Sequence, residues 1–476
     1  MENKRYTTFL AVVAALGGFL FGYDAAVVSG TVSQVSSQFS LGEIQEGWFV
    51  GCALIGSIIG VLFAGNLSDR WGRKPTLLTA ALFFTVSGLA CALAPGFASL
   101  VVARWLGGIG IGIVSIVSPL YISEISPAKY RGRLVGLYQL AVTLGFLGAY
   151  LMNFRLLDLS TSGLHFSSPL MEEVFVSEVW RAMLGFCALP AILFFGIIFF
   201  IPESPRWLIA QRHETRALAI LKRIYTAGTE ARNQLIATRD VISGDVKANF
   251  KSLFRPGIRR AVVIGAAIAI LGQFMGVNAV LYYGPTIFEE AGLSGGDALF
   301  SQVLVGIVNA VTTVLAIFII DRFGRKVLVY YGVTGMIVAL LLISLYFGMG
   351  ESLGLGNSFL LVFFMAYVFC CAISISAVIF VFLSEMYPTS VRGMAMSVAG
   401  LSLWVGTYLI GQLTPWMLAT LTPAGTFLFF ACMCVPYILI VWKLMPETTG
   451  KTLEEIERFW AAGAGSESDS KSIQAQ

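Results

Sequence analysis

Twelve apolar stretches, each long enough to cross a bilayer, divide this chain: 8–30, 47–68, 76–94, 99–123, 134–153, 182–201, 258–288, 300–320, 327–348, 358–384, 393–420 and 424–445. A spanning helix needs about 20 such residues. Inside the hydrocarbon no water satisfies a peptide N–H or C=O, so stretches of this length must close their own hydrogen bonds as helices. The pattern predicts an all-α membrane protein with twelve transmembrane helices. Of the 476 residues, 57% are hydrophobic and only 12% charged. A soluble fold of this size has too little interior to hide so much apolar surface.

Charge placement sets the orientation. If the N-terminus is cytoplasmic, the outer loops are 31–46, 94–98, 154–180, 289–299, 349–357 and 421–423. Of the 31 Lys and Arg, only Arg155 falls clearly in those loops, with Arg104 and Arg181 in or at the edge of spans, so about 28 face the cytoplasm. That bias puts both termini inside a cell (inner) membrane. The net charge of +4 is too modest to suggest nucleic acid. Residues 8–30 are too long for a signal-peptide core and lack a small-residue exit, so they read as a retained first span. The seven cysteines all fall in apolar segments without metal-site spacing and read as buried structural thiols. His165 and His213 lie in separate loops. No metal, cofactor or enzymatic chemistry is expected.

The organisation reads as an N-terminal six-helix bundle (1–201), a cytoplasmic helical linker (202–257), a C-terminal six-helix bundle (258–446) and a cytoplasmic tail (447–476) with a short amphipathic helix near 451–460. In the linker, Leu218, Leu221 and Ile224 recur at helical spacing. The two bundles are related by an internal repeat. Asp69-Arg70-Trp71-Gly72-Arg73-Lys74 returns 252 residues later as Asp321-Arg322-Phe323-Gly324-Arg325-Lys326. Glu124 with Arg131 returns as Glu385 with Arg392, and Pro202-Glu203 as Pro446-Glu447. Such an offset spans six helices, so the halves run parallel, an arrangement that places a solute site near the midplane between them.

Two charges lie deep in apolar segments, Asp24 in the first span and Arg104 in the fourth. Each would cost about 2.5–3.5 kcal/mol at a helix centre on insertion scales. They read either as a static ion pair or as a proton-coupling site, in which a changing Asp24–Arg104 separation changes the carboxylate's hold on a proton. In the cytoplasmic loops, Asp69, Glu124, Asp321 and Glu385 stand among the expected arginines. Glu–Arg pairs across the halves would latch the cytoplasmic side and break on opening; static loop capping is the alternative. Polar residues within spans are Gln139 in the fifth, Gln273, Asn278, Tyr282 and Tyr283 in the seventh, Asn309 in the eighth, and Trp404 and Thr407 in the eleventh. Amides both donate and accept, which suits hydroxyls, and aromatic faces suit a pyranose. The seventh span is interrupted by Gly272, Gly276, Gly284 and Pro285. Singly these residues read as helix–helix hydrogen bonds; together they read as a binding site.

Over nearly its whole length the chain resembles the sugar porters of the major facilitator superfamily. The resemblance rests on Asp69 to Lys74, Glu124 to Arg133, Pro202 to Trp207, Gln273 to Tyr283, Asp321 to Lys326, Glu385 to Arg392 and Pro446 to Gly450. It implies the major facilitator fold in two six-helix pseudo-repeats, and proton-coupled import of a hexose or pentose by alternating access. It implies substrate binding by Gln139, Gln273, Asn278, Tyr283, Asn309, Phe380 and Trp404, and proton coupling by Asp24 with Arg104. It implies a cytoplasmic gate of Asp69, Arg70, Arg73, Glu124, Arg131, Glu203, Asp321, Arg322, Arg325, Glu385, Arg392 and Glu447. The expected partners are a monosaccharide, protons and the lipid bilayer, with the chain a monomer. A passive uniporter, a non-transporting sugar sensor and an exporter of another small polar solute share this fold. The chain departs from the family pattern at Gly272, at Ser376 to Phe380 where Gly-Pro-x-x-Trp is common, and at Leu403 where an amide often stands.

Overall fold

The computed structural model describes residues 3–163, 165–244, 253–254, 256–387 and 391–445. The first five spans are Lys4–Val27, Glu43–Trp71, Arg73–Ala92, Phe97–Ile125 and Arg131–Thr161. The sixth is built from Val179–Gly185 and Ala188–Ile198, and the seventh from Pro256–Phe274 and Val277–Glu290. Gly295–Phe323 and Arg325–Leu353 follow, then Asn357–Cys371, a π-helical turn at Ala372–Ser376, and Ala377–Met386. The last helix, Arg392–Leu444, has 53 residues. At about 1.5 Å per residue that is about 80 Å, more than twice the roughly 30 Å a bilayer core needs. It breaks at Thr422, whose φ of 62° is left-handed and which Pro423 follows. Two segments, 392–421 and 423–444, result, which brings the helices long and apolar enough to cross a bilayer to twelve among the described residues.

The chain forms two compact units, Met1–Asp245 with Leu281–Ala310, and Val246–Val280 with Val311–Gln476. In the first, the first span packs along the fifth and the second along the fourth. Gly56 and Gly60 meet Gly108 and Gly112 so closely that a methyl at Gly56 or Gly60 would strike the carbonyl of Trp105 or Ile109. Small residues four apart let helix backbones touch in this way. Tyr150 Oη donates to the Leu281 carbonyl (2.9 Å), and Gln302 Nε2 to the same oxygen (3.4 Å), tying the second part of the seventh span to the fifth and eighth.

The sequence repeat is also a repeat of backbone geometry. Gly72 and Gly324, each ahead of a long helix, hold φ of 101° and 80°. Ser126 and Tyr387 cap the helices before them with near-identical angles (φ −90° and −92°, ψ 128° and 137°). Arg131 and Arg392 each donate Nε and Nη2 to the carbonyl five residues back, of Ser126 and Tyr387, all at 3.4 Å. A guanidinium on the last carbonyl of a helix is a favourable C-terminal cap.

Pro205–Ala210, Glu214–Ile224 and Gly228–Gly244 make the helical insert around Leu208, Ile209, Ala217, Leu221, Ala231 and Leu235. It grips the start of the first span, where Asn3 N donates to Ile224 O (2.8 Å) and the Arg223 guanidinium lies over the Tyr6 ring. Two expectations change. The fifth span runs eight residues past its sequence-based end at 153, to Thr161, with the exposed i,i+3 pair Arg155–Asp158 on this extension. The rest of that outer segment is structured as well, with Arg181 Nη1 capping the third span's end through Ala94 O (2.6 Å). The seven thiols are free, but Cys432 is exposed and Cys370 half-buried rather than buried. The helix expected near 451–460 lies outside the described residues.

Candidate functional site

Asp24 stands at the end of the first span, one turn before Val27, and Arg104 in the fourth; they are 4% and 2% exposed. Arg104 Nη1 lies 3.5 Å from Asp24 Oδ1 and donates to the Asp24 carbonyl at 3.3 Å. The Cys187 thiol donates to the same Oδ1 at 3.7 Å. Among the described residues, Asp24 Oδ2 and Arg104 Nε have no hydrogen-bond partner. Oδ2 sits over Gly107, where a methyl would stand 3.4 Å away. A buried ion pair recovers its desolvation cost best when its remaining atoms are hydrogen-bonded as well. This one keeps an open carboxylate oxygen.

The seventh span breaks at Met275-Gly276. Gly276 has φ +91°, and a side chain there would run into the Phe430 ring. The Tyr367 hydroxyl takes up the freed Met275 carbonyl (2.7 Å). The break sets Gln273 and Asn278 face to face, Asn278 Nδ2 donating to Gln273 Oε1 at 2.7 Å. Thr407 Oγ1 approaches the same oxygen at 3.0 Å, and Trp404 is buried one turn earlier. Gln273 Oε1 is thus taken, while its NH2 makes no hydrogen bond among the described residues. Thr407 belongs to this cluster, though its hydroxyl drew less notice in the sequence than the amides.

The first unit holds three more of the expected ligands. Gln139 is exposed, on one helix face with Gly132 and Gly136, which both border open space. Tyr283 is fully buried and Asn309 half-buried. The side chains of Phe380, Asp321, Arg322 and Glu385, and the whole of Glu447, lie outside the described residues.

At the Asp69–Lys74 motif, Arg73 grips Glu124 with both arms, Nε to Oε2 at 2.9 Å and Nη2 to Oε1 at 2.8 Å. Its Nη1 reaches Asp69 Oδ1 and the Ser68 carbonyl, each at 3.1 Å. Ser204 Oγ donates to Glu124 as well. Glu203 caps the third span, accepting from the backbone N–H of Arg73 (2.9 Å), Lys74 (3.2 Å) and Ser204 (2.7 Å). Burial pushes the Glu203 carboxyl above its ordinary range, and those three N–H groups pull it back. The expected pairs ran across the halves; these ion pairs close within the first. Arg70 is exposed and Arg325 half-buried.

Residues 10–460 match the family described as sugar (and other) transporter. The chain belongs to the sugar transporter family. It is 35% identical over 461 residues to the arabinose-proton symporter of Bacillus subtilis, covering 96% of both chains. It is 34% identical over 492 residues to the D-xylose-proton symporter of Escherichia coli, again covering 96% of both. The inward-open xylose transporter of Escherichia coli superposes with a TM-score of 0.82 at 33% identity, over 96% of this chain and 100% of that one. The fold is that of the major facilitator superfamily, and this member of the family is a multi-pass membrane protein.

Proposed function

We propose that this transporter imports a monosaccharide, hexose or pentose, together with protons across the cell membrane, by alternating access between its N-terminal and C-terminal bundles. The observation that carries the reading is the buried Asp24–Arg104 pair with one carboxylate oxygen left open. An ionisable pair inside the membrane is costly to keep, and proton relays are built from such residues. The relatives' names, arabinose-proton, xylose-proton and galactose-proton symporter, support the same solute class and coupling. Gln273, Asn278 and Thr407, with Trp404 beside them, offer amide and hydroxyl groups to sugar hydroxyls. Gln139, Tyr283, Asn309 and Phe380 complete the proposed lining. The Arg73–Glu124–Glu203 cluster keeps the first half's cytoplasmic face rigid as the halves rock, and Asp321, Arg325, Glu385, Arg392 and Glu447 do so for the second. Both termini face the cytoplasm, where the basic residues are.

A panel of pentoses and hexoses tested in proteoliposomes, with and without an imposed pH gradient, decides the matter. Accumulation of one sugar only when the gradient is present is the expected result. Uptake that merely equilibrates in both conditions would make the protein a passive uniporter, and binding without uptake would make it a sensor.

A further inference from the structure

Besides Arg104, one described side chain reaches the Asp24 carboxylate, the thiol of Cys187. Cys187 is 1% exposed and stands where the sixth span is interrupted, between Val179–Gly185 and Ala188–Ile198. That interruption turns its Sγ toward the first span. The other titratable groups around the pair are Tyr23 on the first span, Cys52 on the second, Cys91 on the third and Tyr282 on the seventh. Among the described residues, none of these donates a hydrogen bond to the carboxylate.

We propose that Cys187 is a positioning residue that sets the pH at which Asp24 takes up its proton. The inference rests on the proton-coupled reading above. Arg104 and Cys187 both address Oδ1, so the incoming proton adds to Oδ2, the oxygen over Gly107. A donor on Oδ1 stabilises the carboxylate more than the neutral acid, so it lowers the affinity for that proton. A thiol is a weak donor, so it trims the affinity without abolishing it. Such trimming favours release of the proton on the cytoplasmic side, where protons are scarcer.

The test is the pH profile of initial sugar uptake by the full-length protein in proteoliposomes, for the wild type, Cys187→Ala, Cys187→Ser and Cys91→Ala. Sugar binding at one fixed pH checks that each variant is folded. Losing the donor in Cys187→Ala should move the midpoint up by about half a pH unit, the size of a weak hydrogen bond to a charge. Cys187→Ser, which restores a donor, should return it to the wild-type value or below, and Cys91→Ala should leave it in place. A Cys187→Ala profile that overlays the wild type would overturn the role, and so would equal shifts of the Ala and Ser variants in one direction, which loosened packing would produce. A wild-type profile with no pH dependence would instead remove the coupling reading itself.

Discussion

A carboxylate inside a bilayer-spanning helix is retained at a cost, and the proposed proton coupling at Asp24 is a reason to retain it. Arg104 and Cys187 share one oxygen and leave the other without a partner. Asp24→Asn keeps the shape but can neither take nor lose a proton. It should abolish accumulation of sugar against a gradient while preserving sugar exchange; gradient-driven accumulation at wild-type level by this variant would refute the role. At the proposed sugar cluster, Thr407→Val removes one hydrogen-bonding group beside Gln273. A single such bond is worth about 1 kcal/mol, so sugar affinity measured by calorimetry should fall about fivefold. Asp24 and Arg104 were legible because a charge in an apolar run has no ordinary explanation. Cys187 was not, because a thiol is at home in such a run and its proximity to a residue 163 positions away depends on the packing of two helices.

At the scale of helices, the ends and breaks matter most. Glycine tolerates the left-handed φ of Gly276, and the Phe430 ring fills the space a side chain would need. Gly276→Ala meets both obstacles. It should lower the melting temperature in detergent by several degrees and weaken sugar binding, since Gln273 and Asn278 are aligned by this break. A variant with unchanged melting and binding would show the break to be incidental. Glu203→Ala strips the cap from the third span and leaves three buried N–H groups short of an acceptor, a loss of about 1–2 kcal/mol. Thermal unfolding should register it, with Glu203→Gln less affected because it keeps one acceptor oxygen. The sequence made the broken seventh span legible through its glycines and proline, but not which glycine breaks it. Gly284 instead admits Gln302 against the backbone. The fifth span's outer extension was missed because Arg155 and Asp158 lower its hydropathy, while a helix beyond the bilayer needs no apolar residues there.

For the molecule as a whole, the twelve-span plan was almost fully legible, since hydropathy and the repeat at Asp69 and Asp321 carry it. The ion pairs of the Asp69–Lys74 motif were legible as repeated charges but not in their partners. That Arg73 would meet Glu124 within its own half is a matter of how helices two to four converge. The distribution of basic residues predicts that a fluorescent protein fused to the C-terminus will fluoresce and that an alkaline phosphatase fusion there will be inactive; the opposite pattern would invert the topology.

The matched angles at Gly72 and Gly324, and the matched caps of Arg131 and Arg392, have a consequence for descent. Both halves keep the same joints, while the proposed proton pair lies in one half and the proposed amide cluster in the other. A lineage built this way can acquire a new cargo by altering a few side chains at the centre, without reinventing the motion that delivers it.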